Sequence, residues 1–385
     1  EIESTGSLLL PRMIGATAII HLLSGDLPQA RFEARRMRET AIPNESVLNV
    51  SWAHYLEGLG DLHCMDLDSA LDHFAAGSEH PRSTDARAAV DALAGLALTQ
   101  QLTQRTAAAT ATVQRVIDFT FELNDPFAID AARSCQARIQ LLQGNLAEAF
   151  NWAKSVNVQL DRLALLIWLE AAPITQARVL IACGSPACLQ QAAELLQQVR
   201  DLSEASRFAC QIIEVAVLQS LLLYKQGRKD SALISLEQAV AMAAPGGWVR
   251  PFAELGRPMT ELLAQLAVEG AEEDLVQRVL ASNDTSDMLS STNEIRGATP
   301  SPAPATAVQA SAARAGRPPD ALTNRELDIL ELLVRRFQNK EIAAKLFIST
   351  HTVNYHLKHI FQKLGVSNRR QAVTKAAKIG ILPPA

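Results

Sequence analysis

The sequence predicts an all-α protein: an α-solenoid of stacked helix pairs over 1–280, a disordered linker over 281–319, and a compact four-helix module over 320–385. Three observations carry this. A short turn recurs along the first part of the chain, aromatic residues are only 5% of the sequence, and composition changes abruptly after residue 280. Sheets lean on aromatic and β-branched residues, so the Ala- and Leu-rich texture favours helices instead.

The repeat comes first in the chain. Gly25 and Ala30, Gly144 and Ala149, and Gly227 and Ala232 share one spacing. Weaker copies begin at Met65 (with Ala70) and Gln104 (with Ala109), while at Gly184 the alanine slides to Ala192. The starts at 25, 65, 104, 144, 184 and 227 are 40, 39, 40, 40 and 43 residues apart. A glycine ends one helix in a left-handed cap. The alanine, one turn into the next helix, lets two helices approach closely. Apolar residues recur at helical spacing around each turn, for example Ile213, Ala216, Val217 and Leu221 before Gly227, and Leu233, Leu236 and Val240 after it. One helix pair per repeat, stacked on its neighbours, gives a solenoid with a concave face.

Residues 281–319 hold 9 Ala, 6 Ser, 5 Pro, 4 Thr and 2 Gly. Such a segment buries too little apolar surface to offset its ordering entropy, which predicts a flexible linker. Charge divides along the same line. Residues 317–385 carry 12 Lys and Arg against 5 Asp and Glu, within a chain of net charge −5. A basic tail on an acidic body points to a polyanionic partner for the tail alone.

In the tail, Thr323 and Glu326 form a capping box for a first helix whose inner face is Leu327, Leu330, Leu333 and Val334. A second helix runs from about Asn339 to Phe347, with Ile342, Ala343 and Leu346 inward. After a short turn, Ser349 is a good cap for a third helix. At 100° per residue, Val353, Leu357, Ile360 and Leu364 form its buried stripe. His351, Asn354, Tyr355, Lys358 and Gln362 fall on the opposite face, which carries no carboxylate. Gly365 closes this helix, and a fourth follows Ser367 with Ala372, Val373, Ala376 and Ile379 inward. Helix, short turn and helix with such an outer face is how a recognition helix enters the major groove of DNA. The candidate base readers are His351, Asn354, Tyr355 and Lys358. Lys340, Lys363, Arg369 and Arg370 are candidate phosphate contacts, with the hydroxyls of Ser349 and Thr350. A small protein-binding domain with a solvated polar face fits the same pattern.

The stretch 322–382 resembles the LuxR-type (GerE-like) helix-turn-helix family of bacterial transcription regulators. The matching words are Leu322 to Glu326, Asn339 to Ala343, Ile348 and Ser349, Thr352 and Val353, His356, Lys363 to Val366, Arg369, and Ala372 with Val373. The resemblance implies base reading at Asn354, Tyr355 and Lys358, and a dimer on DNA through the fourth helix. Three positions depart from the family: Arg336 where Gly is usual, Gln338 where Ser or Thr is usual, and Asn354 where Lys or Arg is common. An amide at 354 favours adenine over guanine.

The string 244–263 is similar to one closing the helical-repeat domain of the large ATP-dependent, MalT-like LuxR-type regulators. In that group a P-loop ATPase lies upstream and a TPR-like solenoid takes part in inducer sensing. No GxxxxGK[ST] occurs in this chain, so any ATP would belong to a domain upstream of residue 1. The chain begins with Glu1, which reads as a fragment of something longer.

No HExxH, GxSxG or CxxC occurs among the eight histidines and five cysteines, and neither a metal nor a cofactor is expected. Asp and Glu are scattered along the helices and are expected on solvated faces. The unpaired cysteine pattern suggests reduced thiols in a cytoplasm. No apolar run is long enough to cross a bilayer; the best, 163–174, is broken by Glu170 and Pro173. The expected function is a non-enzymatic, sequence-specific regulator that binds promoter DNA, with the solenoid as sensor or relay. RNA polymerase and a small-molecule or protein inducer are further partners open to it. The competing reading is a helical-repeat scaffold with an accessory DNA-binding tail.

Overall fold

The computed structural model describes residues 2–44, 46–79, 81, 85–123, 125–156, 160, 168–266 and 272–282, with fifteen positions between 329 and 375. It divides into two compact units, Glu1–Thr299 and Pro300–Ala385. Among the described residues there is no strand.

Among the described residues, the first unit holds six helix pairs. These are α1 (Ile2–Leu23) with α2 (Leu27–Ala41), α3 (Val47–His63) with α4 (Leu67–Gly77), and α5 (Ala86–Leu102) with α6 (Thr106–Leu123). They continue with α7 (Pro126–Leu142) and α8 (Leu146–Ser155), α9 (Ala172–Cys183) and α10 (Pro186–Ser206), and α11 (Ala209–Lys225) and α12 (Lys229–Ala243). Two short helices, α13 (Arg250–Ala253) and α14 (Arg257–Leu263), and a helix over 272–282 complete the unit. Residues 281 and 282, placed in the expected linker, belong to that last helix; 283–319 lie outside the described residues.

The turn register read from the sequence is the register of the fold. Gly25, Met65, Gln104, Gly144, Gly184 and Gly227 all have positive φ, between 60° and 87°. Each sits between the two helices of a pair. Five of the six turns close with a bond from the next residue to the carbonyl five back, such as Asp26 N–H to His21 O at 2.9 Å and Asp66 N–H to Asp61 O at 2.9 Å. This is a Schellman end, which satisfies carbonyls that the finished helix leaves free. Even the non-glycine starts adopt it, because the tertiary stack fixes the angle between helices. The partnered alanines Ala70, Ala109, Ala149, Ala192 and Ala232 are 0% exposed.

Nothing lies within 4 Å of a Cβ built on Gly144 or Gly227, so a side chain there meets only backbone strain. Gly144→Val and Gly227→Val are each expected to lower stability by about 1–2 kcal/mol, the left-handed penalty for an L-residue. Met65→Gly is expected to move the other way by up to about 1 kcal/mol. Urea unfolding of the three variants checks the set; neutral behaviour of both valine variants would contradict the register.

The odd-numbered helices form an inner ring. α3, α5, α7, α9 and α11 pack successively on one another, and α11 meets α1. They are buried on nearly every side: all residues from Ala88 to Thr99 in α5 and from Pro173 to Ile181 in α9 are buried. The even-numbered helices lie outside and keep one solvated face, as in α2, where Ala30, Ala34, Met37 and Ala41 point inward. The ring is closed by the segment after α12. Trp248 Nε1–H donates to Gly25 O at 2.7 Å, and Val249 N–H donates to His63 O at 2.9 Å. The Trp248 and His63 rings lie 4.3 Å apart, centroid to centroid.

Candidate functional site

The inner ring brings together charged side chains that the sequence scatters between residues 57 and 254. The expectation that Asp and Glu occupy solvated faces is corrected by the fold: Glu57, Asp61, Asp91, Glu170, Glu214 and Glu254 are all buried. Local periodicity gave the wrong answer because these positions meet other helices and loops of the ring instead of solvent.

Glu254, the C-cap of α13, is the centre of this network. Arg138 of α7 holds it with two parallel bonds, Nε to Oε1 and Nη2 to Oε2, each 2.6 Å. Arg250 Nη1 donates to Glu254 Oε2 at 2.5 Å, and Arg250 Nη2 to Glu214 Oε2 at 2.5 Å. Arg178 of α9 pairs with Glu214 on α11. Arg138 Nη1 also donates to Glu170 Oε2 at 3.1 Å. The other Glu170 oxygen accepts the hydroxyls of Ser134 (2.5 Å) and Thr175 (2.6 Å). Burial alone would raise the Glu254 pKa, but Arg138, Arg178 and Arg250 outweigh it and hold the carboxyl well below its usual range. Burial depresses two of the cations, Arg178 to about 9 and Arg250 to about 10, whereas Glu254 and Glu170 outweigh burial at Arg138 and raise it. His63, buried and facing Arg250, is pushed well below its usual pKa, and its Nδ1 accepts from Arg250 Nε at 3.2 Å. It is therefore neutral.

A second polar cluster orders the loop before α9. Asp91, fully buried on α5, accepts from Leu169 N–H (2.7 Å), Glu170 N–H (3.0 Å) and Tyr55 OH (2.5 Å). Arg87 lies over the Trp168 ring, 4.8 Å from its centroid.

Beside the charge network the concave face opens into a cavity of about 940 Å³. The ends of α5, α7, α9 and α11 form its walls, with Leu102, Leu141, Leu142, Ile181, Leu218 and Leu221 as the apolar surface. Arg138, Arg178 and Glu254 line its depth, and the exposed Arg257 stands on its wall. Apolar walls with a few fixed polar groups are the usual makeup of a small-molecule site. Elsewhere, His54, Glu57 and His73 bring ligand-type atoms within 4.8 Å of one another. Arg38 already donates to Glu57 at 2.6 Å, so this cluster is a paired ion network rather than a vacant cation site.

The second unit is described at its framework positions. Ile329, Leu333, Ile342, Leu357, Ile360 and Ala372 are buried and helical. Five of these are the expected inner residues; Ile329, one turn before Leu333, was not among them. Gln338 is an unusual helix cap, and Glu341 supports it: its carboxylate accepts Gln338 N–H at 2.7 Å, the reaching-back half of a capping box. Val366 N–H donates to Phe361 O at 2.9 Å, the bond of a Schellman end.

Comparison with known proteins decides the family. Residues 4–269 match the MalT-like TPR region, and residues 320–376 match the bacterial regulatory proteins of the luxR family. The chain belongs to the MalT-like TPR family. It is similar to the HTH-type transcriptional regulator MalT of Klebsiella pneumoniae, 23% identical over 283 residues, covering 65% of this chain and 30% of the relative. The same regulator of Cronobacter sakazakii is 24% identical over 283 residues, with the same coverage. The chain thus spans about a third of the length of these relatives.

Within the luxR-family stretch, Arg369 is the described member of the expected DNA-contacting set. Its Nη1 donates to Asn339 Oδ1 at 3.2 Å and its Nη2 to the Phe337 carbonyl, so it ties the fourth helix to the start of the second. Arg369→Ala would therefore remove an internal tie as well as a cation. His351, Asn354, Tyr355, Lys358, Lys340, Ser349, Thr350, Lys363 and Arg370 lie outside the described residues, as do His356 and His359. The buried network around Glu254 is what sequence reasoning missed. Its one local signal was the placement of Arg138, Arg178 and Glu214 within otherwise apolar runs.

Proposed function

We propose that the chain is the sensing and DNA-reading part of a sequence-specific transcription regulator. The luxR-family match over 320–376 carries this reading, supported by a framework in which Leu357 and Ile360 are the buried side of the third helix. Helical spacing assigns Asn354, Tyr355 and Lys358 to the opposite side, where Asn and Lys suit base edges. In this reading the chain is not an enzyme and needs no cofactor of its own. ATP would act on a separate part of a longer protein. The cavity of the repeat body would take an inducer, and the regulator would bind promoter DNA as a dimer in the cytoplasm and meet RNA polymerase there. Among the described residues no helix is long and apolar enough to cross a membrane.

The test is a binding comparison on a selected operator and on random DNA at several salt concentrations. Lys358→Ala should weaken operator binding by about 1–3 kcal/mol and random binding much less. Lys363→Ala, a phosphate contact in this reading, should weaken both and lower the salt slope by roughly one. Lys363 serves as the phosphate control in preference to Arg369, which is a structural tie. Equal losses on both DNAs for Lys358→Ala would remove the third helix as reader, and salt-independent binding would favour the scaffold reading.

A further inference from the structure

The turn between α9 and α10 holds two thiols in contact. Cys183, the last residue of α9, and Cys188, in the first turn of α10, place their sulfur atoms 2.8 Å apart. Both are free, as are Cys64, Cys135 and Cys210. The local sequence builds the juxtaposition. Gly184 takes φ +71°, reversing the chain after one residue, and Ser185 caps α10 by accepting Cys188 N–H at 3.2 Å. Pro186 follows as the first residue of α10, where its fixed φ suits the helix. The chain therefore leaves one helix and enters the next with residues 183 and 188 on the same side of the turn.

We propose that Cys183 and Cys188 form a site of reversible disulfide formation, with Cys183 as the thiol that attacks a peroxide and Cys188 as the thiol that resolves it.

The two sulfurs differ in the way such a pair requires. Cys183 is partly exposed, while Cys188 is 7% exposed and packs into the core. Cys183 ends α9, where that helix's own dipole opposes an anion, so its thiolate is favoured by the local donors of the turn. The Cys188 thiol, the backbone N–H of Ser185 and its hydroxyl hold the Cys183 pKa below that of an ordinary thiol. Burial and the neighbouring Cys183 hold Cys188 above it. A low-pKa, accessible thiol beside a second thiol is the arrangement that oxidises selectively. The remaining thiols are poorly placed for it: burial raises the pKa of Cys64, Cys135 and Cys210.

The chemistry balances with hydrogen peroxide as oxidant. The Cys183 thiolate attacks one peroxide oxygen. An S–O bond forms, the O–O bond breaks, and the leaving hydroxide takes a proton as water. The Cys188 thiol then attacks the Cys183 sulfur. The S–S bond forms, the S–O bond breaks, and the departing hydroxide takes the Cys188 proton as a second water. The proton for the first water is the one Cys183 gave up on forming its thiolate. Two thiols lose two electrons and the peroxide gains them. The product links the last residue of an inner helix to its outer partner, next to Ile181 and Ala182 on the cavity wall.

The experiment treats the folded chain with stoichiometric hydrogen peroxide, then unfolds and alkylates it. The peptide 179–200 should become two hydrogens lighter and resist alkylation, while Cys64, Cys135 and Cys210 all react; dithiothreitol should restore five reactive thiols. In Cys188→Ser, Cys183 should stop at a sulfenic acid that dimedone captures. In Cys183→Ser, Cys188 should remain reduced at the same dose. Thermal melts of both variants check folding, and the mapping on the unaltered chain stands even if one fails. Full alkylation of Cys183 and Cys188 after peroxide, or faster oxidation at Cys64, Cys135 or Cys210, overturns the proposal.

Discussion

Glu254→Ala is expected to destabilise the repeat body by about 3–5 kcal/mol, the range for breaking a buried ion pair from one side. The substitution leaves Arg138, Arg178 and Arg250 buried around a missing carboxylate, with Glu170 and Glu214 as the remaining anions of the network. Glu261→Ala is the control. Its partner Arg257 is 85% exposed, and solvent screens the pair, so the change should stay within about 0.5 kcal/mol. Denaturant midpoints and slopes of the full chain measure both. The pH dependence has a definite sign. The folded carboxyl of Glu254 titrates well below its usual value, so the unfolded chain binds the proton first. The stabilisation is present above about pH 4.3 and is lost as pH falls through the folded pKa. Glu254→Gln should flatten that part of the acid limb. A Glu254→Ala variant no less stable than Glu261→Ala would show that the inner network does not hold the ring together.

The second large effect is expected at Trp248. This indole is 1% exposed and bridges the end of the solenoid to its beginning. Trp248→Ala should cost about 3–5 kcal/mol, as truncation of a buried aromatic does. Trp248→Phe keeps most of the packing and loses the bond to Gly25 O, so about 1 kcal/mol is expected. The location of the damage is more informative than its size. A linear solenoid passes a terminal defect only to its neighbour. In a closed ring both ends loosen, so hydrogen exchange in Trp248→Ala should quicken at the 25–30 and 63–70 turns as well as at 249–255. Acceleration confined to 249–255 would mean that the closing segment is a lid without a structural part in the first repeats.

The ring is the point at which repeat architecture and function meet. Stacking alone would leave an open concave surface. Closure through Val249, Arg250 and Trp248 brings Glu254 against α7 and α13 against α3, and sets the cavity beside a charge network with fixed geometry. A ligand entering there would touch helices from four different repeats at once.

Much of this was legible in the chain. The six turns were, because a left-handed cap is a local property: Gly144 or Gly227 needs only its own backbone and the helix it ends. Met65 and Gln104, which lack the glycine, were found by spacing and adopt the same positive φ. The buried stripe of the third helix of the tail was legible for the same reason, since Leu357 and Ile360 share a face by helical geometry alone. The cap at Gln338 was missed although its support is equally local: Glu341 stands at capping-box spacing, but glutamine is not the Ser, Thr, Asp or Asn that marks a cap in sequence.

What the sequence determined by itself, then, was the set of interactions that close within about one helical turn: caps, stripes and the repeat period. The tertiary structure decided which of the paired helices faced inward, and with it the burial of Glu57, Asp61, Asp91, Arg138, Arg178 and Glu214 on the inner ring. Arg138 and Glu254 are 116 residues apart, and Trp248 and Gly25 are 223 apart. No periodicity in either segment encodes the other. A carboxylate on a helix looks solvated until a second and third helix remove the water, and only then do its partners, its pKa and its role become fixed.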